Sequence, residues 1–529
     1  MIRKRKQPAP WRQCKPALFI AVLGLTLAAC NIGQQTSGVP VGFVGGVVAD
    51  EPRAALAGRD ILAAGGSAAD AVAAAAFTMA VTLPSRVGLG GGGMCLVYDQ
   101  RLNRVEAIDF AVRAPAAPSA AGVPGMVRGL QNLYGRQGKL RWEQLVAPAE
   151  GMARFGTPVS RAFANDLATA GGTLGQDPAA RQIFLREGAP LAEGDILTQN
   201  DLSTVLAAIR ARGGNEFYQG QVADQFVAGA MATGAAITAE DLRATAPTPR
   251  ASVLVRQGDI TVHFAPPPAI AGVSEAQLFG MLAPRWRRAS AEERPHLLAE
   301  ADLRAAIDRA RWLAADLSTN PAADLLAGAQ RTEGLMQDYR TNARTAPGAA
   351  PAPRLLNAAT AGVAAVDREG GGVACSFTLN EMFGIGRVAP GTGVLLAAAP
   401  DGAGRGPQLL TPMLAAVRSG RIVYASTASG GWPGVSAQVQ VAVRTIVENR
   451  PLEEAMDAAR IHNPGTEEVL AEEALQGPLP GLAARGYHPR LTANLGQVNA
   501  IFCPEGLFEN AEACQFRADR RGFGLAAGP

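Results

Sequence analysis

Residues 88–99 read GLGGGGMCLVYD, a run of glycines followed at once by an apolar segment. The glycines formally satisfy the G-x-G-x-x-G pattern of dinucleotide-binding proteins, which requires a strand before the loop and a helix after it. Here the order is reversed, because an alanine-rich helix is predicted from Ser67 to Thr82, stopped by Pro84, and MCLVYD is predicted to be a strand. The sequence therefore argues against a nucleotide site. It predicts that the glycines permit close backbone packing at the entrance to a buried strand.

The N-terminal segment has the features of a secretory signal peptide. Six basic residues and no acid precede ALFIAVLGLTLAA, which is too short to span a bilayer as a helix. The segment ends in LAAC, which resembles the bacterial lipobox, so residues 1–29 are expected to be a lipoprotein signal peptide and Cys30 the lipidated residue. Ordinary cleavage after Cys30 is the alternative. Asn31, rather than aspartate, favours the outer membrane, so we expect a periplasm-facing lipoprotein of the bacterial cell envelope.

The charge of the chain depends on this signal peptide. Without residues 1–29 the basic residues fall from 49 to 43 while 46 acidic residues remain, so the net charge changes from +3 to −3. No basic patch then indicates nucleic-acid binding, and membrane contact is expected through the lipid anchor only. The chain has 529 residues, of which 48% are hydrophobic, enough for a large core.

Cysteines and histidines give no sign of a metal site or a cofactor. No cysteine pair has zinc spacing, and none of the four histidines lies near another or near a glutamate at ligand spacing. Cys95 and Cys375 stand in apolar, strand-like segments and are interpreted as buried thiols. Cys503 and Cys514 flank a short turn-rich segment, and whether they form a disulfide in an oxidising periplasm stays open.

Helix and strand patterns alternate along the chain without internal repeats. Residues 195–234 predict two helices separated by Gly-Gly-Asn, residues 251–268 two strands around a Gly-Asp turn, and residues 292–316 a charged helix. The segment RTAPGAAPAPR at 344–354 predicts an extended, exposed and mobile connection. After it, residues 361–380 predict a hairpin, which opens a strand-rich C-terminal third.

Several stretches resemble, in the same order, the γ-glutamyltranspeptidase (glutathione hydrolase) family, and together they cover nearly all of residues 45–525. They are ILAAGGSAADAVAAAAFTMAVTLPS, GLGGGGMCLVYD, AIDF…AP, GVPGMVRGL, DLRATAPTPR…APPP, FTLNEMFGIGRVAPGTGVLL and STASGGWPG. The resemblance implies an N-terminal nucleophile hydrolase of the α/β (α+β) class, a four-layer αββα sandwich. It also implies a precursor that cuts itself into a large-subunit region, residues 30–359, whose end at 344–359 is Pro/Ala-rich, and a small-subunit region, residues 360–529. The two regions are expected to form one globular unit.

The family's catalytic threonine falls on Thr360, counting back from Val366-Asp367, so the cut is expected between Ala359 and Thr360. A threonine hydroxyl is a weak nucleophile that needs a base. The α-amino group freed by the cut has an unperturbed pKa of about 8 and can act as that base on the same residue.

Four further residues complete the expected catalytic set. The resemblance implies that Thr378 and Asn380 orient the hydroxyl and amine of the nucleophile, and their spacing predicts that they alternate on one strand face. It also implies that the backbone N–H groups of Gly430 and Gly431 face the developing oxyanion.

The substrate-binding half departs from the family pattern. The DFRE arginine, whose fork suits a carboxylate, is replaced by Ala111, although Arg113 lies two residues on and on the same face if the stretch is extended. In LLAAAPDGA the aspartate that holds the substrate amino group is replaced by Gly402, and Asp401 is one position early. Thr411 corresponds roughly to one of the family's paired serines. Arg113, Asp401 and Thr411 are therefore the candidate substrate-binding residues.

These patterns predict an enzyme that forms an acyl ester on Thr360 and passes the acyl group to water or an amine. A γ-glutamyl amide such as glutathione is the expected small-molecule substrate. An acylase with a rebuilt acyl pocket and a non-catalytic envelope lipoprotein of the same fold are the alternatives.

Overall fold

Two antiparallel β-sheets lie at the centre of the computed structural model, which describes residues 43–314, 318–346, 359–400, 406–475, 477–507 and 510–528. Their strands, in chain order, are β1 (Gly45–Ala49), β2 (Gly92–Asp99), β3 (Arg104–Asp109), β4 (Thr248–Ala251), β5 (Val253–Gln257), β6 (Ile260–Phe264), β7 (Thr360–Asp367), β8 (Gly372–Thr378), β9 (Met413–Val417), β10 (Arg421–Ser429), β11 (Gln497–Phe502), β12 (Gln515–Arg517) and β13 (Leu525–Ala527).

The first sheet has the order β13-β1-β7-β8-β2-β3-β4, and the second has the order β12-β11-β10-β9-β6-β5. The sheets pack face to face, with β7 and β8 of the first against β10 of the second. Small and aliphatic side chains fill the space between them, including Val48, Leu96, Ala364, Leu414 and Ile501. Strand alternation directs these residues inward and leaves the other face of each sheet for helices.

Helices cover both outer faces. The α-helices are α1 (Pro52–Ala63), α2 (Ala68–Thr82), α3 (Met126–Gln137), α4 (Trp142–Phe155), α5 (Arg161–Leu174), α6 (Pro178–Phe184), α7 (Asn200–Arg212), α8 (Glu216–Gln219), α9 (Gln221–Ala232), α10 (Ala239–Ala244), α11 (Ile270–Trp286), α12 (Arg294–Trp312), α13 (Ala323–Ala327), α14 (Ala329–Leu335), α15 (Gly431–Ala442), α16 (Leu452–Asp457) and α17 (Leu479–Ala484). Helices α1 and α2 pack on the first sheet, and α11 and α15 on the second. This arrangement confirms the predicted αββα sandwich.

Helix α2 is buried on every side, and its sequence explains why. Ser67 and Asp70 form a capping box at its N-terminus, with the Ser67 hydroxyl accepting from the Asp70 N–H at 3.1 Å. All residues of the helix are buried, and alanines allow it to approach β1, β7 and β8 closely. The helix ends before Pro84, because the residue preceding a proline is disfavoured in helical conformation.

The glycine loop before β2 packs backbone against backbone, as predicted. A Cβ atom on Gly90 would lie 2.0 Å from the Leu395 carbonyl oxygen, and one on Gly91 would lie 2.7 Å from the carbonyl oxygen of Thr378. Since real Cβ atoms do not approach so closely, only glycine fits at these positions. The loop thus packs against the end of β8 and against the backbone of Leu395.

The predicted secondary structure is largely confirmed. The two helices predicted in residues 195–234 are α7 and α9, with the additional short helix α8 between them. The two strands of residues 251–268 are β5 and β6, and the charged helix of residues 292–316 is α12. The hairpin of residues 361–380 is β7 and β8, paired antiparallel. Short strands lie outside the two sheets: Thr157–Pro158, Leu185–Arg186, Ala189–Pro190, Ile196–Leu197, Val388–Ala389, Val394–Leu395, Ile461–His462, Glu468–Glu472 and His488–Thr492.

The interpretation of Cys95 and Cys375 as thiols is wrong. The two residues stand directly opposite each other on β2 and β8, with their Cα atoms 4.0 Å apart, and they form a disulfide. The sequence could not show this, because the pairing of two strands so far apart in the chain is not encoded in any local pattern. Cys503 and Cys514, whose pairing was open, also form a disulfide.

Several predicted features lie outside the described residues: the signal peptide at 1–29, Cys30 with Asn31, most of the Pro/Ala-rich segment (347–358), Asp401 and Gly402. Within the described part of the chain, no helix is both long and apolar enough to cross a membrane.

Candidate active site

Thr360 is the first residue of β7 and is only 4% exposed. Alternation along the strand puts it on the same face as Ala364 and Val366, which pack between the two sheets. Its side chain therefore projects into the space between the sheets at one end of the sandwich. Thr378 stands directly opposite it on β8.

Thr378 contacts the peptide bond that the sequence predicts to be cut. Its hydroxyl donates a 2.9 Å hydrogen bond to the carbonyl oxygen of Ala359 and accepts a 2.9 Å bond from the backbone N–H of Asn380. A hydroxyl donor on this carbonyl withdraws electron density from its carbon and fixes its orientation beside Thr360. The structure thus brings Ala359, Thr360, Thr378 and Asn380 together.

Asn380 does not share a strand face with Thr378, so the predicted alternation of these two residues is wrong. Strand β8 ends at Thr378, and Asn380 adopts a left-handed backbone conformation with φ of 65°. Its side-chain amide donates to the Ala398 carbonyl oxygen at 2.8 Å, which directs the side chain. Its Oδ1 atom is buried and has no partner among the described residues. A buried acceptor is thus available close to the start of β7.

Gly430 follows β10 directly and caps the N-terminus of α15, of which Gly431 is the first residue; their φ values are 98° and 72°. A Cβ atom on Gly362 would lie 2.3 Å from the Thr427 hydroxyl oxygen, and one on Gly372, at the far end of the hairpin, would lie 2.0 Å from Ile422. The chains of β7 and β10 therefore run in opposite directions across the interface. Continuing both brings Gly430 to the same end of the sandwich as Thr360.

The first turn of α15 supplies backbone N–H groups at this end. The first N–H groups of a helix have no carbonyl partner within it, and the helix dipole favours negative charge there. Since Gly430 and Gly431 carry no side chain, nothing of their own covers these donors. This arrangement is suited to stabilising an oxyanion, the role predicted for the pair.

Asp50, which follows β1 directly, is a polar group of the site that the sequence analysis did not identify. Its carboxylate accepts from the Gly362 N–H at 2.8 Å and from the Asn499 amide at 2.7 Å. Burial raises the pKa of the Asp50 carboxyl above its usual value, against the opposing effect of Arg86 and the two hydrogen bonds. Asp50 therefore links Gly362 of the first sheet, two residues after Thr360, to Asn499 of the second sheet. No motif marks a single aspartate at a strand end.

Arg113 is directed back along the chain toward Asp109. Its Nη2 atom lies 2.7 Å from Asp109 Oδ2, and the same oxygen lies 2.9 Å from Nε of Arg250 on β4. Asp109 is fully buried, while both arginine side chains are more than a third exposed. Two guanidinium groups on one carboxylate leave a net positive charge. Arg250 was not singled out from the sequence, since its pairing depends on the contact of β3 with β4.

The register relates this cluster to the nucleophile. Thr360 pairs with Thr378, and Thr378 pairs with Gly92. Ala111 lies beside Gly92, since a Cβ atom on Gly92 would be 2.8 Å from the Ala111 carbonyl carbon. At about 4.8 Å per strand, three steps put Ala111 about 14 Å from Thr360. Arg113 thus lies at the far side of the same end of the sandwich, and its role in substrate binding stays a prediction.

Thr411 is buried and bonded within the fold. Its hydroxyl donates to the Ala428 carbonyl oxygen at 2.7 Å and accepts from the Ala428 N–H at 2.9 Å. These bonds fix the end of β10 just before Gly430. The contact of Thr411 with substrate stays a prediction.

Metal ligands are not clustered in the described ranges, where no three His, Cys, Asp or Glu side chains are placed to hold one ion.

Comparison with known proteins agrees with the fold. The family profile for γ-glutamyltranspeptidase matches residues 54–527. The glutathione hydrolase proenzyme of Escherichia coli (strain K12) is 29% identical over 524 residues, covering 88% of this chain and 90% of that protein. The Acylase ACY 1 proenzyme of Pseudomonas sp. (strain SE83) is 28% identical over 544 residues, covering 92% and 94%.

Among solved structures, the cephalosporin acylase from Bacillus halodurans has the same fold, with a TM-score of 0.79 and 20% identity over 100% of this chain and 99% of that one. The matches indicate an enzyme, an N-terminal nucleophile hydrolase of γ-glutamyltranspeptidase or acylase type, and disfavour the non-catalytic alternative. Because the family profile matches residues 54–527, most of the chain, the chain belongs to the γ-glutamyltranspeptidase family.

Proposed function

We propose that the protein is a self-processing amidohydrolase that cuts its own chain between Ala359 and Thr360 and then uses Thr360 as nucleophile and base. The observation that carries this proposal is the 2.9 Å hydrogen bond from the Thr378 hydroxyl to the Ala359 carbonyl oxygen. A hydroxyl donor aimed at the carbonyl of that one peptide bond is what activation of the bond requires. The proenzyme names of its relatives also support a precursor.

In the self-cleavage step the Thr360 hydroxyl oxygen attacks the Ala359 carbonyl carbon. The C–O bond forms, the C–N bond to Thr360 breaks, and the hydroxyl proton passes to the departing nitrogen. The result is an ester between Ala359 and Thr360, which water hydrolyses to a carboxylate and a free threonine. The new α-amine then finds a buried acceptor nearby in Asn380 Oδ1, which has no other described partner.

In the mature enzyme the α-amine of Thr360 takes the hydroxyl proton as the oxygen attacks the acyl carbon of an amide substrate. The N–H groups of Gly430 and Gly431 receive the oxyanion, a contribution of about 3 kcal/mol for one such donor. The amine leaves with the proton, and water or a second amine then takes the acyl group from the ester.

For the acyl donor we propose a γ-glutamyl amide such as glutathione. The glutathione hydrolase named among the relatives supports this choice. The net positive charge of Arg113 and Arg250 around Asp109 suits the α-carboxylate of a γ-glutamyl group. Asp401, which lies outside the described residues, would bind the α-amino group of the γ-glutamyl substrate.

An acylase is the second candidate, and one observation favours it. Ala397, Ala398 and Ala399 of the LLAAAPDGA stretch carry no polar side chain that could bind an α-amino group. A linear acyl group that ends in a carboxylate, such as glutaryl, needs the arginines but no acid. The acylase among the relatives also supports it.

For the location, we propose a lipid-anchored protein of the cell envelope, attached through Cys30. The support is the sequence of residues 1–31 alone.

The self-processing proposal is tested by the intact mass of purified protein. Wild type is expected to give two chains, the smaller beginning at Thr360. Thr360→Ala is expected to remain one chain and Thr360→Ser to process. A Thr360→Ala protein cut at the same bond would show that an external protease makes the cut and would overturn the proposal.

A further inference from the structure

We propose that the disulfide between Cys95 and Cys375 is a covalent bond between the two subunits of the mature protein. The inference rests on the proposed cut before Thr360, because that cut puts Cys95 in the large-subunit region and Cys375 in the small one. The Cys503–Cys514 disulfide has both residues in the small region and joins nothing across the cut.

The bond lies at the middle of the first sheet. Strand β2 comes from the large region and β8 from the small region, and they are neighbours with a continuous antiparallel register from Gly372↔Tyr98 to Thr378↔Gly92. Cys95 and Cys375 are opposite partners in this register. The disulfide therefore ties the two regions within their shared sheet, three residues along β8 from Thr378.

Burial protects this bond. Both cysteines are fully buried and belong to the apolar core under α2. A thiolate can attack a disulfide only where it reaches a sulfur atom, so exchange requires opening of the core. We therefore expect the bond to survive in the folded protein under conditions that reduce exposed disulfides.

Its formation is a two-electron oxidation. The two thiols lose two protons and two electrons as the S–S bond forms, and an oxidised dithiol–disulfide catalyst takes them up as its own disulfide becomes two thiols. Such catalysts act on exported proteins, in keeping with the signal peptide predicted at residues 1–29. The strands must already be paired, since the cysteines are far apart in the chain.

The test uses the full chain, exported, purified and then denatured in the presence of N-ethylmaleimide, so that buried free thiols are also blocked. Under denaturing conditions without reductant, wild type is expected to run as one species with the combined mass of both chains, and with reductant as two. Digestion with trypsin is expected to yield peptide 87–101 joined to peptide 369–387. Cys503 and Cys514 fall in one tryptic peptide, 491–517, which provides an internal control for oxidation.

Two variants distinguish the roles of the two disulfides. Cys375→Ala is expected to give two species without reductant, whereas the Cys503→Ala/Cys514→Ala double variant is expected to remain one species until it is reduced. If Cys375→Ala does not fold, the peptide map of wild type still decides the question.

Other outcomes overturn one proposal or both. Wild type that separates without reductant, with N-ethylmaleimide on Cys95 and Cys375, overturns the disulfide while the cut stands. A single species with and without reductant, with the two peptides joined, overturns the cut and hence the inter-subunit role, while the bond stands. A single species with both cysteines alkylated overturns both.

Discussion

The Thr378 hydroxyl donates a hydrogen bond of 2.9 Å to the carbonyl oxygen of Ala359, the residue just before the predicted nucleophile. In the same position, the hydroxyl accepts from the backbone of Asn380. One side chain therefore fixes both the bond to be cut and the segment that turns away from β8.

Replacement of Thr378 by valine should slow self-processing. The loss of one partner of a buried hydrogen bond costs about 1–3 kcal/mol, so the rate should fall about 5- to 150-fold. Thr378→Ser should retain most of the wild-type rate of self-processing, because serine keeps the hydroxyl donor. The measurement is the fraction of cut chain against time. Thr445→Val is the matched control, since Thr445 is also buried and its hydroxyl donates to the carbonyl oxygens of Val441 and Ala442, one turn earlier in the chain. Equal rates for Thr378→Val and Thr445→Val would contradict the assigned role.

Substitution of Gly431 by alanine should reduce turnover with little loss of folded protein. A Cβ atom there meets only Pro433, at 3.7 Å, but the φ of 72° is unfavourable for alanine, so the N–H donors should shift. We expect kcat to fall about 100- to 1,000-fold, as for loss of an oxyanion donor.

The control for Gly431→Ala is Gly258→Ala, at a left-handed turn with φ of 60° and open space around it. It carries the same backbone strain away from the site, so its kcat should match that of wild type. Similar losses in both variants would assign the effect to strain rather than to the oxyanion.

The acyl group can be identified with two anilides, γ-glutamyl and glutaryl, which differ only in the α-amino group. Arg113→Ala should lower kcat/KM for both, because a lost partner of a charged pair commonly costs 2–5 kcal/mol, roughly 30- to several-thousand-fold. Asp401→Asn should lower it for the γ-glutamyl anilide alone. Faster hydrolysis of the glutaryl anilide, unchanged in Asp401→Asn, would favour the acylase. Full activity of Arg113→Ala on both would remove Arg113 from the site.

Glu275, in α11, should make the fold less stable as the pH rises. Its carboxyl is fully buried with neither oxygen partnered among the described residues, and burial raises its pKa well above the usual value. The folded state then holds this proton more tightly than the unfolded state, so the free energy of unfolding decreases from about pH 4.3 upward.

Glu275→Gln removes this titration. Its midpoint of thermal unfolding should exceed that of wild type by more at pH 8 than at pH 5. Glu473→Gln, on an exposed residue, is the control and should show no such dependence. A gain of equal size at both pH values would show that the carboxyl does not titrate in this range.

The lipid anchor is tested with Cys30→Ser. The variant should lack the lipid and move from the membrane to the soluble fraction of the envelope, as measured by fractionation and by the mass of the N-terminal peptide. Unchanged membrane attachment, with no lipid on wild type, would indicate a different anchor.

The sequence predicted the parts of this protein that depend on local order. Helix α2 could be read from its cap, its alanines and Pro84, and β7 from its position relative to Val366-Asp367. Features that depend on strands distant in the chain could not be read in this way. The Cys95–Cys375 bond, the bridge from Asp50 to Asn499 and the contact of Arg250 with Asp109 all arise from the order of strands within and between the sheets. The resemblance pointed to Asn380, whose backbone N–H bonds to the Thr378 hydroxyl, but the expected alternation of the two residues on one strand face is wrong because β8 ends at Thr378.

Strand β1 lies between β7 and β13, with Val47 opposite both Ala365 and Ala527. While the chain is being synthesised, β1 leaves the ribosome early and both of its neighbours leave late. Helices α1 and α2 can form meanwhile, but the first sheet can close only when synthesis has reached Leu525. Such long-range pairing makes folding slow, and the apolar strand stays exposed in the interval. A chain shortened before β13 would leave one side of β1 as an open edge, available for pairing with other chains.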